Sequence, residues 1–185
     1  VPGARSLTEG EIALAGSVFG DAVDYAPVRI VRGRWWPFQT RNIVMAPMGH
    51  IHFHPDSPLW SDDFAAEPRV AQGLFIHEMT HVWQAQSGGR WYLPLMRHPF
   101  CLYRYRLMPG RPFRRYGLEQ QAEIVRHAFL LRDGRHLPGA PALDRLESIL
   151  PFRGRSEMLA DRDSKGARLA DVEAEPRPSA ALAVE

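Results

Sequence analysis

The sequence predicts an α+β fold, a short sheet packed on two main helices, and three observations carry that prediction. Residues 73–89 and 117–133 place apolar side chains at helical spacing over several turns. Residues 28–31 are β-branched, residues 42–46 largely apolar, and residues 50–53 alternate His with Ile and Phe, each run long enough only for a short strand. These runs cluster ahead of the two helices and do not alternate with them. The sheet is therefore expected to be antiparallel or mixed, and not built from crossover units.

A chain of 185 residues with a formal charge of +2 predicts one domain around a single core. We place it at residues 1–153. Residues 154–185 are charged, Ala-rich and Pro-containing, and are expected to form a mobile tail with a transient helix near 156–161. So balanced a charge names neither a nucleic acid nor a membrane surface as partner. The cations are almost all Arg, with Lys165 the single Lys, which we read as compositional habit. Cys101 is the only cysteine, so an intrachain disulfide is excluded and a structural thiol is expected. No apolar run is long enough to span a bilayer. No signal-peptide pattern follows Val1, so the compartment stays open between the cytoplasm and export by a non-classical, secretion-system route. Oligomeric state is not legible.

The elements follow in order. Residues 7–19 carry Leu7, Ile12, Ala15, Val18 and Phe19 at helical spacing, with Thr8 or Ser6 to cap the start and Gly20-Asp21 to end it. Residues 28–31 form the first strand. Residues 42–46 and 50–53, separated by Pro47-Met48-Gly49, read as a hairpin. In the second of these, His50, His52 and His54 alternate onto one face while Ile51 and Phe53 take the other. Such a row is either a polar edge beside a cleft or a rival metal site. Asp62 and Asp63, in the loop that follows, suit a helix cap better than a ligand set. Pro68 suits the first turn of the helix over residues 73–89, and Gly88-Gly89 its end.

Residues 90–116 interleave Arg97, Arg104, Arg106, Arg111, Arg114 and Arg115 with aromatic side chains. Arg among aromatics can bind single-stranded nucleic acid. The simpler reading is a surface segment forming one wall of a cleft, and no nucleic-acid partner is expected. Residues 117–133 form the second long helix, closed by Gly134, and residues 142–150 a short amphipathic one. His127 and His136 fit no pattern.

Within the first long helix stand His77-Glu78-Met79-Thr80-His81. Residues four apart lie on one helix face, about 6 Å apart along the axis. His77 and His81 can therefore aim both imidazoles at one divalent metal, most often zinc. Glu78, about 100° round the helix, can reach a water on that metal and accept its proton. The apolar neighbours Phe75, Ile76, Met79, Val82 and Trp83 predict burial, and buried His and Glu side chains need partners that a metal provides. A catalytic zinc takes three protein ligands and a water. Glu119 and Glu123 share a face of the second helix, so one can ligate while the other supports a neighbouring group.

The His-Glu-x-x-His helix followed by a Glu on a later helix resembles the gluzincin metallopeptidases. Several small members read E-x-x-A-D at that Glu. Here the residues are Glu119-Gln120-Gln121-Ala122-Glu123. The resemblance makes Glu119 the third ligand and puts Glu123, in place of the usual Asp, in the supporting role, with the reverse assignment as the alternative. Over about residues 7–133, the order of elements and HEMTHVWQ also resemble a bacterial peptidase-like domain with the motif HELxHVxQQ, and the Vgr-related proteins. These likenesses imply a small zincin-like domain, a zinc cofactor, and hydrolysis of a peptide or protein substrate with Glu78 as general base. Relatives stabilise the oxyanion with a Tyr or His, for which Tyr116, Tyr105 and His127 are candidates here. The strand ending at Phe53 could add an extended substrate as a further strand. The alternative is a catalytically inactive, peptidase-like binding or adaptor module, linked to a bacterial secretion system.

Overall fold

The computed structural model describes residues 3–89 and 103–154. Cys101, Lys165, the tail beyond residue 154 with its expected helix, and the first part of the Arg- and aromatic-rich segment lie outside the described residues.

Thr8 sets the first helix. In α1 (Glu9–Phe19) the Thr8 hydroxyl accepts from the Glu11 amide at 3.0 Å, while Glu11 Oε2 accepts from the Thr8 amide at 2.9 Å. Gly20 closes the helix. Glu11 is fully buried and does more than cap. It accepts from both terminal nitrogens of Arg5, at 2.8 and 2.7 Å, and from the Phe64 amide at 3.0 Å. One carboxylate thereby joins the sheet, α1 and the 3-10 turn Phe64–Ala66.

The sheet has three strands in the order β1 (Ala4–Ser6), β2 (Arg29–Arg32), β3 (Ile51–Phe53). β1 runs antiparallel to β2, with Arg5 opposite Ile30, and β2 runs parallel to β3, with Val31 opposite His52. Ile51 and Phe53 turn into the core, as the alternation predicts. Two expectations are corrected. β1 is too short to announce itself in sequence. Residues 42–46 form no strand: the expected hairpin shrinks to one bridge, in which Met45 and His52 exchange hydrogen bonds of 3.1 and 2.7 Å. The reason is Gln39. Its Nε2 donates to the carbonyls of Ile43 and His52, so a side chain takes the carbonyl through which a ladder would have continued.

The long helices are α2 (Arg69–Gly88), which starts after Pro68, and α3 (Leu118–Leu131), which starts after Gly117. The short α4 (Leu143–Glu147) covers fewer residues than expected. Beyond α2, Gly89 takes a φ of 89°, a left-handed value that glycine adopts without strain. The two long helices meet at Gly73, where an added Cβ would come within 3.1 Å of a Leu130 methyl. This close approach brings their facing side chains together. Phe53, Phe64 and Phe75 stack in succession, at 5.6 and 5.5 Å between ring centroids, and tie β3 to α2. The architecture is a small α+β domain with a three-stranded mixed sheet.

Candidate metal centre

α2 turns His77, Glu78 and His81 inward, all buried, and the facing surface of α3 supplies the buried Glu119. Oε2 of Glu119 lies 3.3 Å from Nε2 of His77 and 3.3 Å from Nε2 of His81. Among the described residues these three form the group of His, Cys, Asp or Glu side chains able to hold an ion, with one donor atom from each within 4.8 Å of the others.

The far side of each imidazole faces its own partner. Nδ1 of His81 lies 2.8 Å from Oε1 of Gln84. The Gln84 amide cannot be flipped, because its Nε2 donates at 3.0 Å to the Leu118 carbonyl and at 3.0 Å to Oε1 of Gln121. Gln121 is fixed in turn by donating from Nε2 to the Tyr116 carbonyl at 2.7 Å. Backbone carbonyls only accept, so the direction of every bond in the chain is set. His81 must then carry a proton on Nδ1, which turns Nε2, buried and 3.3 Å from Oε2 of Glu119, toward the cluster as the nitrogen that would ligate an ion. A cation is the partner that suits that nitrogen.

His77 is held differently. Its Nδ1 lies 2.8 Å from Oε1 of Glu123, and Glu123 also contacts Arg126 at 3.2 Å and Nε2 of His127 at 3.4 Å. Burial opposes the charged imidazolium, but the Glu119 and Glu123 carboxylates outweigh it and raise the His77 pKa to about 9. Burial likewise opposes the Glu123 carboxylate, and His77 more than offsets it, so its pKa falls. The pocket therefore calls for positive charge, which a proton supplies in the metal-free chain. Glu78 is buried beside His77, and its Oε2 has no hydrogen-bond partner among the described residues.

The rival row does not assemble. His54 is buried, its Nδ1 accepts from the Asp56 amide at 3.0 Å, and the Arg34 guanidinium stands 2.6 Å from Nε2, where its charge would repel a metal ion. His52 packs against Trp35 at 5.4 Å between ring centroids, and burial lowers its pKa. Asp63 is a cap: its Oδ1 accepts from the Ala65 amide and the Thr8 hydroxyl, while Asp62 accepts from the Trp60 indole. Of the oxyanion candidates, Tyr116 accepts from the Met108 amide at 3.0 Å, and the Tyr105 hydroxyl lies 2.7 Å from Nδ1 of His127. Burial raises the Tyr105 pKa, Glu123 adding to it, and lowers that of His127.

Sequence reasoning missed three residues. Gln84 and Gln121 stand inside the quoted motifs with no role assigned to them, and only the packing of α2 on α3 makes them a chain. Tyr103, half exposed, stacks over His77 with 6.3 Å between ring centroids and 22° between planes. It lines a cleft of about 640 Å³ with Tyr105, Glu123, His127 and Pro138. Tyr103 lay within the segment expected to wall a cleft, but nothing in that run distinguished it from its aromatic neighbours.

No family model matches the chain. Over 132 residues it is 46% identical to the type VI secretion system spike protein VgrG2b of Pseudomonas aeruginosa, a match spanning 68% of this chain and 13% of the spike protein. Its fold is similar to a solved structure, the effector domain of Pseudomonas aeruginosa VgrG2b, with a TM-score of 0.62 and 40% identity, covering 78% of this chain and 80% of that domain.

Proposed function

The chain belongs to the family of the VgrG2b effector domain, and from that premise we propose that it is an effector module of a bacterial secretion spike, acting as a zinc-dependent peptide hydrolase with a zincin-like, gluzincin-type site. The observation that carries the chemistry is the convergence of two imidazoles, one with its protonation fixed by the Gln84–Gln121 chain, on a buried carboxylate from a second helix. His77, His81 and Glu119 would hold the zinc, which when bound supplies a Lewis acid and a water acidic enough to attack near neutral pH. Glu78 accepts the proton of the attacking water and returns it to the leaving amine. Glu123 supports His77, and Gln84 supports His81, each from the side facing away from the ion. Tyr103 lines the cleft and stacks on the face of His77, a position from which it would contact an extended peptide bound there.

Glu78→Gln tests this directly. Zinc content should stay at about one per chain, and turnover of a quenched peptide pool should fall at least a hundredfold. A zinc-loaded variant that still cleaves removes Glu78 from the mechanism. The relation to a spike protein favours one further reading, a module that keeps the metal centre and docks a partner without cleaving it. Bound zinc with no turnover of any pool by the unaltered chain would select that reading.

A further inference from the structure

The loop between β2 and the Met45 bridge presents an unusual surface. Trp35, Trp36, Phe38 and Ile43 are 40%, 54%, 79% and 48% exposed, and they account for half of the large hydrophobic side chains exposed among the described residues. Exposed apolar groups scattered singly are ordinary, but four within nine residues are not. Nor is the loop slack. Gln39, buried beneath it, accepts from the Trp35 amide at 2.9 Å and donates to the carbonyls of Ile43 and His52 at 2.8 and 2.9 Å. Turns close it further, from the Gln39 amide to the Trp36 carbonyl and from the Ile43 amide to the Thr40 carbonyl. The fold thus builds a rigid support and directs the aromatic side chains away from the core, with the Trp36 and Phe38 rings 5.7 Å apart.

The charge around the loop has one sign. Residues 25–55 contain no Asp or Glu, but do contain Arg29, Arg32, Arg34 and Arg41, the last three exposed. Arg5, Arg69, Arg126 and Arg132 all have carboxylate partners. Among the described residues, no ion pair involves the four arginines around the loop. Asp56, the acidic side chain at the edge of this region, stands 3.8 Å from His54. Guanidinium groups beside exposed Trp and Phe side chains on a loop held in place from beneath match the boundary of a lipid bilayer. There indole and phenyl rings sit at headgroup depth, and each cation near the surface gains from anionic lipid.

We propose that residues 34–43 dock the domain onto a membrane surface carrying anionic lipid, with Trp35, Trp36 and Phe38 in the interface and Arg34 and Arg41 at the headgroups. The proposal is independent of the metal centre.

Co-sedimentation of the whole chain with vesicles tests it, comparing phosphatidylcholine alone with a 3:1 mixture of phosphatidylcholine and phosphatidylglycerol. The chain should pellet with the mixed vesicles, be released severalfold by 0.5 M salt, and pellet at least tenfold less with the neutral ones. The double variant Trp36→Ser, Phe38→Ser should lose at least tenfold in partitioning with an unchanged thermal midpoint, since both side chains are exposed. Arg41→Gln should weaken binding only to the anionic vesicles. A second readout does not depend on the serine variants: brominated lipid should quench indole fluorescence of the unaltered chain, and Trp35→Phe, Trp36→Phe should abolish the quenching. A chain that stays in the supernatant overturns the proposal and leaves an acidic protein surface as the loop's occupant. Undiminished pelleting of the serine variant, or quenching that survives loss of both tryptophans, overturns it as well.

Discussion

Replacing Gln84 by Met removes the acceptor that fixes His81 while nearly preserving side-chain volume. In the structure Gln84 makes three buried hydrogen bonds, to His81 Nδ1, the Leu118 carbonyl and Gln121 Oε1. Methionine leaves one donor and two acceptors buried without these partners, at about 1–3 kcal/mol for each group that finds no substitute. Relaxation of Gln121 recovers part of this, so a loss of about 2–4 kcal/mol in stability is expected. The effect on the metal is separate. With Nδ1 unheld, His81 populates the tautomer whose Nε2 carries the proton, and zinc affinity should fall about 10- to 100-fold. Gln84→Glu distinguishes the two effects. It keeps an acceptor for His81 but sets a carboxylate against the Leu118 carbonyl, so it should be destabilised while retaining most of the affinity. The assay is zinc competition against a chromophoric chelator, with the His81 tautomer read in the metal-free chain from imidazole nitrogen shifts. Zinc affinity of the Met variant within twofold of the unaltered chain would refute this reasoning, as would a Glu variant that loses as much affinity as the Met variant.

Other expectations follow from the same contacts. Glu11→Ala leaves the Arg5 guanidinium and the Phe64 amide without their carboxylate, and should cost about 3–5 kcal/mol in urea unfolding; a cost below about 1 kcal/mol contradicts the joint described for Glu11. Gly73→Val forces α2 away from Leu130, and should cost about 1–3 kcal/mol and weaken zinc binding together; a variant with intact affinity shows that the helix spacing is not set there. In the metal-free chain, His77 holds its proton more tightly folded than unfolded, with a pKa of about 9 against 6.5. Its contribution, on the order of 3 kcal/mol, is complete below about pH 6.5 and lost as pH rises through 9. Unfolding titrations between pH 6 and 10 should show that decline with a chelator present, and a flat profile contradicts it.

How much of this was legible in the sequence depends on the range of the interactions. α1 and α2 were written locally, by a capping Thr8 at one start, Pro68 at the other, and an apolar stripe between their ends. The convergence of His77, His81 and Glu119 was legible because residues four apart share a helix face, and because the downstream Glu resembled a known arrangement. The sheet was harder. A three-residue strand such as Ala4–Ser6 carries no period, and residues 42–46 looked like a strand until Gln39 took the Ile43 carbonyl. The alternating His row satisfied a strand pattern, but Arg34 and the Asp56 amide claim His54, and neither contact follows from spacing. Gln84, Gln121 and Tyr103 gain their meaning only when α2, α3 and the segment before α3 are packed. No window of sequence contains that information.

The central claim is that one divalent ion sits between α2 and α3, and a crystal of the zinc-loaded chain measured on both sides of the zinc absorption edge tests it most directly. The account predicts a single strong anomalous peak bonded to Nε2 of His77, Nε2 of His81 and a carboxylate oxygen of Glu119. A peak beside His50, His52 and His54, or no peak within bonding distance of His77 and His81, would contradict it.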